Sequence, residues 1–168
     1  MSEPNKEQES FPGRTKATEF FLVKGDLVLL GIKKRGLFKG KLLGPGGKIK
    51  EGETSEDCVR REAKEEIGVT LKSMRRVGSI NFFYIETDRP ASQQVDFFLV
   101  DDWDGEPQET EEMRPVWYKR DEIPVDQMPA ANRLFIPHFL KGEFISGNLF
   151  FDKEMNLVSN QLVISTSK

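Results

Sequence analysis

The sequence predicts a mixed α/β chain of the α+β kind. Apolar runs of strand length recur along it, one strongly signalled helix interrupts them, and 168 residues suit a single domain better than two. Residues 1–15 are polar, carry Pro4, Pro12 and Gly13, and lack hydrophobic periodicity. They are expected to form a flexible tail ahead of one domain spanning residues 16–168.

Within that domain, TEFFLVKGDLVLLGI holds two apolar runs around Lys24-Gly25-Asp26, a hairpin signal. The following KKRGLFKGKLLGPGGK reads as a loop rich in glycine and lysine. A helix is expected from Thr54 to near Gly68. Thr54 with Asp57 three residues on resembles a capping box, and Gly68 suits the position just past the end. VGSINFFYIETD and QQVDFFLVDDW then read as two strands joined by a loop containing Pro90, and MRPVWYKRDEIP as a short strand entering a turn. ANRLFIPHFLKG suggests a second helix in which Pro137 makes a kink or lies near the start. FISGNLFFDKEMNLVSNQLVI closes as a hairpin.

Composition narrows the function classes. Apolar residues at 37% and charged residues at 32% describe a soluble globular chain. A net charge of −3 offers no electrostatic footprint for a nucleic-acid polymer or an anionic membrane. No apolar run reaches membrane-spanning length, and MSEPNKEQES is the opposite of a signal peptide. The single cysteine, Cys58, excludes an internal disulfide framework and a cysteine-based zinc cluster. A cytoplasmic protein is expected.

The chemistry concentrates in GGKIKEGETSEDCVRREAKEEIGV, residues 46–69. On a helix, Val59, Ala63 and Ile67 are four apart and form the buried stripe, while Glu62, Glu65 and Glu66 project together from an adjoining face. Like charges at that spacing cost roughly 0.2–0.5 kcal/mol per pair unless something compensates them. Magnesium or manganese would do so, because hard cations take carboxylate oxygens and leave positions for phosphate. The competing reading is a solvated charged face, neutralised by Arg60, Arg61 and Lys64. The upstream residues favour the first. Gly44-Pro45-Gly46-Gly47 makes a tight turn that lets backbone approach a ligand, and Arg61 is placed to pair with Glu65 or to reach back to Glu53. Glu56 and Asp57 read as cap and solvent residues.

Gly47, Glu53 and the run Arg61-Glu62-Ala63-Lys64-Glu65-Glu66-Ile67-Gly68-Val69 resemble the Nudix box, GX5EX7REUXEEXGU, at every fixed position, with Ala63 a small occupant of the hydrophobic slot. The resemblance implies a Nudix α/β/α sandwich around a central mixed sheet, and hydrolysis of a nucleoside diphosphate linked to another group. It implies Mg²⁺, with Mn²⁺ as the alternative, held by Glu62, Glu65, Glu66 and the carbonyl of Gly46. Arg61 would orient the acids and, with Glu53, brace the loop against the helix. The general base would be Glu62, Glu65 or Glu109, the last an auxiliary metal or base glutamate in the acidic segment EPQETEEM.

Most of residues 18–150 further resembles the animal-type MutT homologues, the oxidised-purine nucleoside triphosphate hydrolases, in LLGIKKRGLFKG and EMRPVWYKRDEIP. That resemblance implies a small nucleotide as partner, Lys33 near the phosphates or base, and Thr18, Phe82 and Tyr84 facing the nucleobase. Trp117 is expected as a pocket neighbour and Trp103 in packing. The departures fall at the base: Leu42-Leu43 replaces a tryptophan and an asparagine, while Pro129, Ala131 and Asn132 replace a tryptophan and paired aspartates. Asn132 is then the residue expected to reach a purine edge, with Leu43 lining the pocket. His138 and Cys58 read as packing residues. Nothing in the sequence sets an oligomeric state.

Overall fold

The computed structural model describes residues 14–85 and 91–166. The expected tail falls outside the described residues up to position 13, and so does the loop containing Pro90. Strand β1 (Thr15–Lys24) turns at Gly25 into β2 (Leu27–Lys33), which is the hairpin expected from the sequence, with Leu22 opposite Leu29 and Lys24 opposite Leu27. Two short strands follow in the glycine-rich segment that the sequence reads as loop: β3 (Leu42–Leu43) against β2, and β4 (Gly46–Lys48) against the first half of β1. Helix α1 spans Ser55–Ile67.

Strand β5 (Thr70–Tyr84) begins earlier than its apolar pattern suggests, because register shifts between Leu71 and Gly78 break the alternation that would reveal it. It runs antiparallel to β6 (Ala91–Asp104). β7 (Met113–Lys119) lies along all of β2, and β8 (Phe144–Phe151) with β9 (Leu157–Ser165) forms the closing hairpin. The second helix is divided. A 3₁₀ turn over Ala130–Leu134 ends at Phe135, and α2 (Ile136–Leu140) starts afresh with Pro137 in its first turn. Proline lacks the N–H that a continuous helix needs but is tolerated in a first turn.

The sheet is mixed, in the order β3-β2-β1-β6-β5-β8-β9, with β4 and β7 branching from β1 and β2. β1 is parallel to β6 and β5 to β8. Both faces are covered, so the central strands are apolar on both sides. Phe20 and Leu22 of β1, with Phe98 and Val100 of β6, pack under the Val59–Ala63–Ile67 stripe of α1. Ala17 and Phe21, with Phe97 and Leu99, point the other way, against Ala131, Phe135, Ile136 and Phe139 of the short helices. Strand alternation thus feeds two cores, and each residue of β1 has an assigned side.

Candidate active site

Helix α1 is fixed at both ends by its own sequence. The Thr54 hydroxyl accepts from Asp57 N at 3.1 Å while the Asp57 carboxylate accepts from Thr54 N at 3.2 Å, so the expected capping box is present. Gly68, at φ 72°, turns the chain out in the left-handed region. Beside the apolar stripe runs a second buried row, Cys58, Glu62 and Glu66, one turn apart. Glu62 and Glu66 are each only 9% exposed, whereas the Glu65 side chain is 52% exposed.

Arg61 organises this row. Its Nε donates to Glu53 Oε2 at 2.7 Å and its Nη2 to Glu53 Oε1 at 3.0 Å. Nη1 donates to Glu62 Oε1 at 2.8 Å and to Glu65 Oε2 at 3.2 Å, and Nη2 also reaches the Lys48 carbonyl at 3.0 Å. The sequence left open whether Arg61 pairs with Glu53 or Glu65; it holds both. The Arg61 guanidinium, with help from Lys50 N–H, lowers the Glu53 carboxyl to about 2.

The glycine turn supplies the opposite wall. A Cβ on Gly47 would lie 2.4 Å from Glu62 Oε1, and one on Gly46, at φ 154°, would lie 1.9 Å from the Thr18 carbonyl. Glycine at 46 is therefore required for β4 to lie against β1, and glycine at 47 leaves the Glu62 carboxylate its place. Gly46 N–H points toward Glu66 Oε2 at 3.4 Å. Burial, and then the adjacent Glu62, push the Glu66 carboxyl up to about 9.

A buried carboxyl pair with one arginine to serve it is short of positive charge, and its oxygen donors are the type that a hard divalent cation takes. Among the described residues no three acid, histidine or cysteine side chains already converge as a closed metal cage. Glu62 and Glu66 meet, while Glu65 is turned to Arg61.

The Nudix domain family matches residues 14–139. The chain belongs to the Nudix family. Relatives include the oxidized purine nucleoside triphosphate hydrolases of Danio rerio, 40% identical over 86% of this chain and 92% of the relative, and of Mus musculus, 37% identical over 80% and 85%. A solved MutT protein from Bacillus halodurans superposes with a TM-score of 0.79 at 26% identity, covering 88% of this chain and 97% of that one. The sandwich around a mixed sheet expected of a Nudix chain is the architecture observed, and Nudix hydrolases generally need a divalent metal ion.

The remaining candidates divide between the two faces of the Nudix sheet. Glu109 lies in the loop between β6 and β7, exposed and bonded to Lys34 Nζ at 3.0 Å. That loop is docked on the end of α1: Gln108 N–H donates to the Ile67 carbonyl at 2.9 Å and the Thr110 hydroxyl to the Glu66 carbonyl at 2.8 Å. Of its acids, Glu112, paired with Arg35, is the one whose charge acts on Glu66. Sequence reasoning passed over Glu112, although its place beside the first residue of β7 is a signal that could have marked it.

Lys33 is half-buried at the end of β2. Phe82 and Tyr84 pack with the short-helix core, Phe82 edge-on to Phe135 and both rings stacked on Phe151. Asn132 borders that core, 5% exposed, with its Nδ2 lacking a partner among the described residues. Leu43 is half-buried next to Gly44.

Two expected pocket residues face elsewhere. Thr18 is buried beneath α1, its hydroxyl 3.3 Å from Cys58 Sγ, because even-numbered positions of β1 point to the helix. Trp117 stacks on Trp103 at 6.0 Å, both partly buried against the same helix-side core. Neither lies on the face that holds Phe82, Tyr84 and Asn132. His138 bonds Glu143 at 3.0 Å, and Cys58 is buried and free.

Proposed function

We propose that this Nudix chain hydrolyses purine nucleoside triphosphates, oxidised purines such as 8-oxo-dGTP among them, to the monophosphate and pyrophosphate, and so cleans the nucleotide pool in the cytoplasm. The observation that carries the chemistry is the buried Glu62–Glu66 pair, held by Arg61 against the Gly46-Gly47 backbone. The substrate class is supported by the names of the two animal relatives, which align over most of both chains. Among the described residues, no helix is long and apolar enough to cross a membrane.

Glu62, Glu65, Glu66 and the Gly46 carbonyl are the groups assigned to hold Mg²⁺, or Mn²⁺ in its place. Such an ion, when bound, neutralises phosphate charge and lowers the pKa of water. The chain's own contribution is positional. Arg61 fixes Glu62 through one nitrogen while its other two hold Glu53, so the helix and the preceding loop move as one body. A carboxylate close to the attacking water takes its proton: Glu62, Glu65, or an acid of the docked loop, Glu109 or Glu112. Lys33 and Lys34 supply positive charge at the loop side. Asn132, with an unpaired and buried amide N–H, is assigned to a purine edge, since an unmet buried donor costs about 1–3 kcal/mol until a ligand accepts from it.

A second reading keeps the chemistry and changes the leaving group to a nucleotide sugar or dinucleoside polyphosphate. It is favoured by Leu43, Pro129 and Ala131, which bring no polar group to the base side. A non-catalytic nucleotide sensor is disfavoured because it needs no full set of Glu62, Glu65 and Glu66. The test is pyrophosphate and phosphate release with Mg²⁺ across ordinary and oxidised dNTPs, nucleotide sugars and dinucleoside polyphosphates. Turnover confined to nucleotide sugars would overturn the first reading, and no turnover of any member with metal bound would overturn both enzyme readings.

A further inference from the structure

Glu19 is an acid where the fold asks for an apolar residue. It lies on β1 between Thr18, which faces Cys58 under α1, and Phe20, in the helix-side core. Alternation turns Glu19 to the other side of the sheet, with Ala17 and Phe21, both members of the short-helix core. The backbone of β1 therefore separates it from Glu62 and Glu66, and it is no part of their cluster. Its Oε1 accepts from Gly44 N at 2.8 Å, and no described residue bonds Oε2. Gly44 fits closely over it: a Cβ there would lie 2.9 Å from Glu19 Cγ and 2.7 Å from the Phe21 ring. Glu19 is nonetheless only half-buried, so a ligand can reach it.

The surroundings identify the face. Ala17 and Phe21 share one apolar cluster with Ala131, the residue before Asn132, and Phe82 and Tyr84 pack against that cluster. Burial pushes the Glu19 carboxyl up to about 8, against the Gly44 N–H and the charge of Lys33, which hold it down. A carboxyl group costs more to enclose than leucine would, and holding a single backbone N–H does not require one.

Resting on the reading of the chain as a nucleoside triphosphate hydrolase, we infer that Glu19 is a specificity-determining residue of the base pocket, whose carboxylate accepts hydrogen bonds from the N–H donors of a 2-amino-6-oxopurine. Gly44 occupies one acceptor position, and two adjacent purine N–H groups fit the free ones as a bidentate pair, a ligand that favours the ionised form burial alone disfavours. The polar contact that Leu43, Pro129 and Ala131 do not bring is thus supplied by a residue of β1 beside Gly44. Asn132 supplies the complementary donor.

The experiment measures kcat/KM for dGTP, 8-oxo-dGTP, dITP and dATP with wild type, Glu19→Leu and Glu19→Gln, together with calorimetric binding of Mg²⁺ and pyrophosphate. The expected result is a guanine-to-adenine ratio that falls by about 10- to 100-fold in Glu19→Leu, with Mg²⁺ and pyrophosphate affinities unchanged. Glu19→Gln retains an acceptor for Gly44 and gains a donor, so its ratio should shift toward dATP, which a purely structural role for Glu19 would not cause. A wild type that prefers guanine, with the same ratio in Glu19→Leu, overturns the role of Glu19 and leaves the enzyme reading intact. A wild type that hydrolyses the triphosphates without regard to base overturns the proposal alone. A wild type that hydrolyses none of them overturns the reading and the proposal with it.

Discussion

Arg61 and Glu53 are joined by two parallel hydrogen bonds, Nε to Oε2 at 2.7 Å and Nη2 to Oε1 at 3.0 Å. The pair ties the loop before α1 to the middle of the helix, and leaves the third guanidinium nitrogen, Nη1, to orient Glu62 and Glu65. Arginine's planar fork makes this possible; a lysine would hold one carboxylate at a time. Arg61→Lys should lower kcat by about 10- to 100-fold while the fold persists, measured by pyrophosphate release and circular dichroism. Activity within twofold of wild type would show that the orientation of Glu62 is set elsewhere.

The same pair predicts an acid-sensitive component of stability. The folded Glu53 carboxyl sits at about 2, below its ordinary 4.5, so between these values the unfolded chain binds more protons than the folded one. The stabilisation is present above about pH 4.5 and is lost as pH falls toward 2. Melting temperature followed across that window should drop more steeply for wild type than for Glu53→Gln. Parallel curves would mean the pair does not hold in solution.

Two glycines should fail in different ways. Alanine at Gly46 collides with the Thr18 backbone carbonyl, so Gly46→Ala should lower thermal stability by an amount equivalent to about 1–3 kcal/mol or more. Alanine at Gly47 meets only the Glu62 carboxylate, which can move aside. Gly47→Ala should therefore fold near-normally and lose Mg²⁺ affinity, as read by calorimetry.

Trp117 should matter to stability and not to substrate. It stacks on Trp103 against the helix-side core, partly buried, so Trp117→Ala should destabilise by about 1–3 kcal/mol in urea unfolding with nucleotide KM unchanged. A large rise in KM with stability intact would return it to the pocket.

Among the loop acids, Glu112 should outweigh Glu109. Both are ion-paired, Glu112 with Arg35 and Glu109 with Lys34, but Glu112 is the less exposed and its charge bears on Glu66. Kinetics of Glu112→Gln and Glu109→Gln under saturating Mg²⁺ should show the larger fall in kcat for Glu112→Gln. The reverse order would favour the residue singled out from sequence.

What was legible in the sequence was local. Helix α1 carries its own cap, its apolar stripe at a spacing of four and its glycine stop, and the box residues have fixed spacing along it. The hairpin at Gly25 and the strand–helix order follow from the same short-range signals. The sides of the strands were less legible. Thr18 and Glu19 are neighbours that face opposite sides of the sheet, and which side each takes is decided by the pairing of β1 with β4 and β6, residues distant in sequence. The acidic loop is likewise placed by Gln108 and Thr110 bonding the end of α1, contacts with no pattern to announce them. Strands β3 and β4, two and three residues long, are too short to show any period.

The buried Glu62–Glu66 pair is proposed as a metal site for hydrolysing nucleoside triphosphates. That assignment is tested most directly by Mg²⁺-dependent pyrophosphate release from 8-oxo-dGTP and dGTP, with wild type and Glu66→Gln compared at equal folded concentration. The expected result is turnover by wild type that vanishes on chelation, and no turnover by a folded Glu66→Gln. Wild-type rates in Glu66→Gln would contradict it.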